Sequence, residues 1–89
     1  MGVPKVVMYV ADWCPYCARA RSLLEGRGVA IEEIDVDAMP GAREEMRARS
    51  GRDTVPQIFI GESHVGGSDE LQALDADGRL DALLKQPEP

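Results

Sequence analysis

Val6-Val7-Met8-Tyr9-Val10 is an unbroken apolar run rich in β-branched residues. Such continuity predicts a strand covered on both faces. The spacing changes after Pro15. Cys17, Ala20, Leu23 and Leu24 recur at helical intervals, and Arg19, Arg21 and Arg27 fall elsewhere. Pro15 suits the first turn of a helix, where a missing N–H costs nothing. Gly26 and Gly28 supply the stop. From Val29 to Asp35 the pattern alternates imperfectly and predicts a second strand. Strand, helix and strand over this length make a βαβ unit with a right-handed crossover.

A second helix is expected from about Pro40 to Ser50, with Gly51 ending it. The Met39-Pro40 step reads as its start and nothing more. Pro56 to Ile60 predicts a third strand, and Gly61-Glu62-Ser63 turns it into a short fourth, His64-Val65. A lone histidine on so short a strand is expected at the surface. Gly66-Gly67 breaks the strand. Ser68-Asp69-Glu70 then opens a helix containing Leu71 and Leu74, with Ser68 or Asp69 as the expected N-cap. A last turn or two carries Leu80, Leu83 and Leu84. The order is β-α-β-α-β-β-α with a final helix. Two prolines in Gln86-Pro87-Glu88-Pro89 prevent continued helix, so a short disordered tail is expected from about residue 86.

Eighty-nine residues make a single domain, 1–89, whose core must be compact. No stretch approaches the roughly 20 apolar residues that a membrane helix needs. The first residues, Met1-Gly2-Val3-Pro4-Lys5, lack the apolar run and cleavage site of a signal peptide. The expected compartment is therefore the cytoplasm, and the default state is a monomer. A formal net charge of −6 argues against nucleic acid and against an anionic membrane surface. The basic residues are interleaved with acids, as in Arg43-Glu44-Glu45-Met46-Arg47, which reads as a solvated helix face.

The chemistry-bearing segment is Cys14-Pro15-Tyr16-Cys17, which holds both cysteines of the chain. A C-x-x-C beside a βαβ pattern in a cytosolic protein reads as a redox motif. The first cysteine sits just before the helix, where unpaired N–H groups and the helix dipole favour a thiolate. Cys17 lies one turn on, close enough for a disulfide but more buried. Cys14 is thus the expected nucleophile and Cys17 the resolving thiol. A structural zinc site would need four ligands, and His64 is the one other soft candidate. A structural disulfide is disfavoured by compartment.

Two further segments bear on ligands. Thr54-Val55-Pro56 starts the third strand. On these residues alone, a trans proline at a strand start is the plainer reading. A cis proline facing the cysteines would instead offer the Val55 backbone to an extended thiol peptide. Gly66-Gly67-Ser68-Asp69 precedes a helix N-terminus, which suits carboxylates, and Asp69 suits an ammonium. Alone, it is a turn with an ordinary cap.

Together the three segments resemble the glutaredoxin family, in particular its small bacterial dithiol members, and the likeness covers nearly the whole chain. The resemblance implies an α/β, thioredoxin-like fold with a four-stranded mixed sheet flanked by helices. It implies glutathione as co-substrate, joined to Cys14 in a mixed disulfide, and no metal. Thr54 and Val55 match the segment that pairs with the glutathione backbone, with Pro56 cis. Gly67, Ser68 and Asp69 match the segment that holds the γ-glutamyl end. Tyr16 matches a residue flanking the site, and Arg43 falls near a contact to the glycyl carboxylate. Protein disulfides and glutathionylated proteins are the implied partners. A second glutathione releases the enzyme, or Cys17 closes a disulfide first.

The chain also departs from the family pattern. Ala11, followed by Asp12, stands where many members carry lysine, which predicts weaker glutathione binding or a less acidified thiol. Trp13 is more reminiscent of thioredoxins, and either packs beside the site or contacts a partner. Ser68 stands where some relatives carry a third cysteine. Two other readings follow from the family. One is a carrier of an iron–sulfur cluster bridged by Cys14 and two glutathiones, against which Pro15 and Cys17 argue. The other is a thioredoxin-like electron donor, against which the segments at Thr54 and Gly67 argue.

Overall fold

The computed structural model describes residues 4–85, so the tail from residue 86 lies outside the described residues. Its elements are β1 (Val6–Val10), α1 (Pro15–Gly26), β2 (Ile31–Asp35), α2 (Ala42–Ser50), β3 (Gln57–Ile60), β4 (Ser63–Gly66), α3 (Ser68–Ala76) and α4 (Arg79–Lys85). The sheet runs β2-β1-β3-β4. β1 pairs parallel with β2 and antiparallel with β3, and β4 pairs antiparallel with β3. This is the expected four-stranded mixed sheet with helices around it. None of its helices is long and apolar enough to cross a membrane, among the described residues.

The apolar run of β1 is buried along its whole length because the strand is central. Its side chains alternate between two clusters, as a strand's must. Val6, Met8 and Val10 join Ile58, Ile60, Cys17, Ala20, Leu24, Leu71 and Leu80. Val7 and Tyr9 join Phe59, Val36, Ala42 and Met46 on the other side. Each fully buried aliphatic side chain stabilises the fold by about 1.5–3 kcal/mol. In the second cluster Tyr9 donates its hydroxyl proton to Glu45 and accepts from Arg49 at 2.9 Å. The Arg49 guanidinium lies 4.2 Å from the centre of the Phe59 ring. Burial, with the Glu45 hydrogen bond adding to it, raises the Tyr9 pKa.

β3 starts at Gln57, one residue after Pro56, which has no N–H for the ladder. Three other boundaries differ from the sequence reading, each for a local reason. β2 starts at Ile31, not Val29. The N–H groups of Arg27, Gly28 and Val29 all bond back to Leu24 or Glu25 and close α1 instead. α2 starts at Ala42, not Pro40. The Asp35 carboxylate accepts from the N–H groups of Asp37 and Ala38, so the chain turns before the helix begins. β4 spans four residues because the pairing shifts between Ile58 and Phe59, which leaves Val65 as an extra residue opposite β3.

Candidate active site

The parallel strand β1 delivers the chain into the loop that carries Cys14. Cys14 is the N-cap of α1, in extended conformation, and Pro15 follows in the first turn. Its Sγ accepts the N–H of Cys17 at 3.2 Å, so the sulfur occupies the place of an ordinary capping oxygen. The thiol also lies 3.9 Å from the Val55 carbonyl oxygen, to which it donates. Both thiols are free. Cys17 is 1% exposed. Burial, and then the hydrogen bond to Cys14, push its pKa up to about 12. At neutral pH Cys17 is therefore protonated. The pair is divided as expected, into an accessible sulfur at a helix end and a buried thiol one turn on.

The Val55–Pro56 peptide is cis. That departs from the trans proline favoured by the residues alone and agrees with the family pattern. Beside Cys14 a groove of about 260 Å³ brings together Tyr16, Thr54, Val55, Pro56, Gly67, Ser68 and Asp69, which are seven of the residues singled out from sequence. Cys14 and Cys17 line a second depression on the other side, with Ala11, Asp12, Trp13 and Arg21. The largest cavity, about 650 Å³, lies between Pro4–Val6, Gly28–Glu32 and α4. It contains neither cysteine.

Trp13 adopts a left-handed backbone, with φ of 70°, and is 92% exposed. The packing role considered for it is not what the structure shows, because the ring stands in solvent beside the nucleophile. Arg43 is not in the groove. It extends along α2 to Asp37 at 2.9 Å and Asp53 at 3.1 Å. Asp53 also takes a two-bond contact from Arg47. These guanidiniums hold the Asp53 carboxyl below the usual carboxylate range, Arg47 most strongly.

Three groove residues were missed by sequence reasoning: Arg52, Gln57 and Glu70. Arg52 bonds Glu70 at 3.2 Å. Glu70 reaches back from the first turn of α3 to accept the N–H of Gly67 at 2.6 Å. That N–H, ahead of Arg52, keeps the Glu70 carboxyl below its usual range. Gly67 is accordingly the N-cap, and neither Ser68 nor Asp69 fills that role. Ser68 is buried and accepts from Gln72 at 3.0 Å. The fold-back also explains Gly66. With φ of +114°, it has a glycine-type backbone, and a Cβ there would stand 2.7 Å from the Glu70 carboxylate. A glutamate three residues after a glycine pair was the available signal for this arrangement.

His64 lies at the surface as expected, but it is not without partners. Its ring stacks on Phe59, centroids 4.8 Å apart, and its Nε2 is 2.8 Å from Gln57 Oε1. Partial desolvation lowers its pKa, with Arg52 adding to the effect. No group of three or more His, Cys, Asp or Glu is placed to hold a metal ion, among the described residues.

Comparison with known proteins gives this geometry a family. The family model described as Glutaredoxin matches residues 6–65. The chain is 54% identical over 82 residues to a glutaredoxin of Pseudomonas aeruginosa, covering 92% of this chain and 98% of that protein. Its structure is similar to the solution structure of a glutaredoxin from Brucella melitensis, with TM-score 0.83 and 53% identity over 96% of this chain and 92% of the other. It is also similar to a crystal structure of a buckwheat glutaredoxin–glutathione complex, with TM-score 0.83 and 29% identity over 92% of this chain and 76% of the other. The sheet order is thus that of a thioredoxin-like fold. With its dithiol at a helix end and its profile matched from β1 into β4, the chain belongs to the glutaredoxin family.

Proposed function

We propose that the protein is a dithiol enzyme that uses glutathione to reduce protein–glutathione mixed disulfides and protein disulfides. The observation that carries this reading is the division of labour between the thiols. Cys14 Sγ caps α1 beside an open groove, while Cys17 is buried and donates its backbone N–H to that sulfur. The glutathione complex of the buckwheat relative supports the choice of ligand.

The Cys14 thiolate attacks the glutathione sulfur of a mixed disulfide. The old S–S bond breaks, and the protein sulfur leaves and takes up a proton. A second glutathione thiolate then attacks the glutathionyl sulfur on Cys14. Glutathione disulfide departs and the Cys14 thiolate returns. With a protein disulfide, Cys14 first becomes joined to the protein. Cys17 gives up its proton and attacks Cys14 Sγ, releasing the protein thiol, and two glutathiones reduce the resulting disulfide. The extended edge at Thr54 and Val55 pairs with the glutathione backbone, and Tyr16 flanks it. The helix end at Gly67 and Ser68 takes the γ-glutamyl carboxylate, with Asp69 facing the ammonium. Arg52 supplies a guanidinium inside the groove for the glycyl carboxylate, in place of Arg43. The reading takes the protein as a monomer acting in the cytosol, with the groove residues named all drawn from one chain.

The test is turnover of a small glutathione mixed disulfide coupled to glutathione reductase and NADPH. Cys14→Ser is expected to abolish turnover. Cys17→Ser is expected to keep most of it and to lose the reduction of protein disulfides. A wild-type protein without glutathione-dependent turnover would overturn the reading.

A further inference from the structure

We infer that Gln57 and His64 are positioning residues that set which way the Thr54 hydroxyl aims its proton. Gln57 is a polar side chain within the apolar strand β3 and is 1% exposed. Its amide is used at both ends. Oε1 lies 2.8 Å from His64 Nε2, and Nε2 lies 3.2 Å from Thr54 Oγ1. The direction of the chain follows from donor and acceptor chemistry. An amide oxygen only accepts, so His64 Nε2 carries a proton. An amide nitrogen only donates, so Thr54 Oγ1 accepts. A hydroxyl has one proton. With a lone pair of Thr54 taken by Gln57, that proton is free to point away from β3.

Thr54 is exposed and lines the groove beside Val55. Its O–H therefore becomes a donor toward whatever lies there, and it suits a carbonyl or carboxylate oxygen. The anchor is His64, whose ring is fixed by stacking on Phe59. A histidine on the β4 hairpin thereby keeps a hydroxyl donor aimed into the groove without touching the ligand. This inference rests on glutathione occupying the groove, a ligand whose backbone offers such oxygens.

Two measurements test it. Nitrogen NMR of the His64 ring, in the wild-type reduced protein above the pH of its titration, should show the Nε2–H tautomer. The Nδ1–H tautomer would mean that Gln57 is turned the other way and would overturn the inference. This readout does not depend on glutathione. The second measurement is Gln57→Glu, which keeps the shape and the acceptor for His64 but offers Thr54 no N–H and draws its proton inward. KM for a glutathionylated peptide should rise roughly tenfold, the size of one lost hydrogen bond, with kcat near wild type. In the Thr54→Ala background the same substitution should add nothing. An equal KM effect in both backgrounds would overturn the inference. If the wild type shows no glutathione turnover, the ligand reading fails, and the tautomer alone decides the direction of the chain.

Discussion

Toward α1, α3 and α4 the sheet presents Val6, Met8, Val10, Ile58 and Ile60, and meets side chains that are almost all apolar. Toward α2 it presents Val7, Tyr9 and Phe59. There Ala42, Met46 and Val36 cover only part of the surface, and the charged ends of Glu45 and Arg49 finish it. The difference maps onto the chemistry. Both helix ends at the site belong to the apolar side, where Cys14 caps α1 and Gly67 caps α3. Close packing leaves those ends little room to shift. α2 reaches the site chiefly through polar contacts: Arg43 and Arg47 grip Asp53, one residue before Thr54, and the Ser50 hydroxyl accepts the N–H of Arg52 at 3.0 Å. One side holds the reacting atoms in place by shape, and the other steadies a loop by charge.

That contrast is open to direct attack. The largest effect should come from Leu24→Ala on the apolar side, a fully buried position. Denaturant unfolding should show a loss of about 2–5 kcal/mol, with a cavity left beneath α1. The next concerns the thiol that this packing buries. In the reduced protein, the folded Cys17 pKa is raised from an ordinary 9.0 to about 12. Below pH 9 the thiol is protonated whether folded or not, and the stabilisation is fully present. Between 9 and 12 the unfolded chain sheds this proton first, so stability falls as pH rises. The slope is at most about 1.4 kcal/mol per pH unit. Unfolding curves collected across that window should lose this component in Cys17→Ala. The smallest effect should come from the α2 side. Tyr9→Phe removes one hydroxyl shared by two charged groups and should cost about 1 kcal/mol. A loss as large as that of Leu24→Ala would show that the polar contacts on that side matter as much as packing does on the other.

The sheet and the dithiol were legible because each rests on a strong local signal. A continuous apolar run has to be a central strand, and a cysteine just ahead of Pro15 has to sit at a helix start. The misplaced features share a different cause. Pro40 looked like the first turn of α2, yet the Asp35 side chain bent the chain earlier. Arg43 and Arg52 are indistinguishable in sequence, and only the positions of their partners decide which faces the groove: Asp37 and Asp53 for Arg43, Glu70 for Arg52. Gln57 was hidden because a single polar residue in an apolar strand carries no periodic signal. Its meaning depends on two partners at different sequence distances, Thr54 and His64. Trp13 left two readings open, packing beside the site or contacting a partner, and the outward ring on its left-handed backbone removes the first.

The glutamate that folds back onto Gly67 has a consequence for how this protein can change over generations. α3 borrows its cap from within, so the carboxylate must pass over Gly66, where a Cβ would stand 2.7 Å from it. A methyl group at residue 66 would evict Glu70, release Arg52 and strip the Gly67 N–H of its acceptor. Loss of Glu70 would in turn leave the helix uncapped, while the φ of +114° would still hold residue 66 to glycine. Gly66 and Glu70 therefore form one inherited unit, because replacing either disturbs the end of α3 that faces the groove.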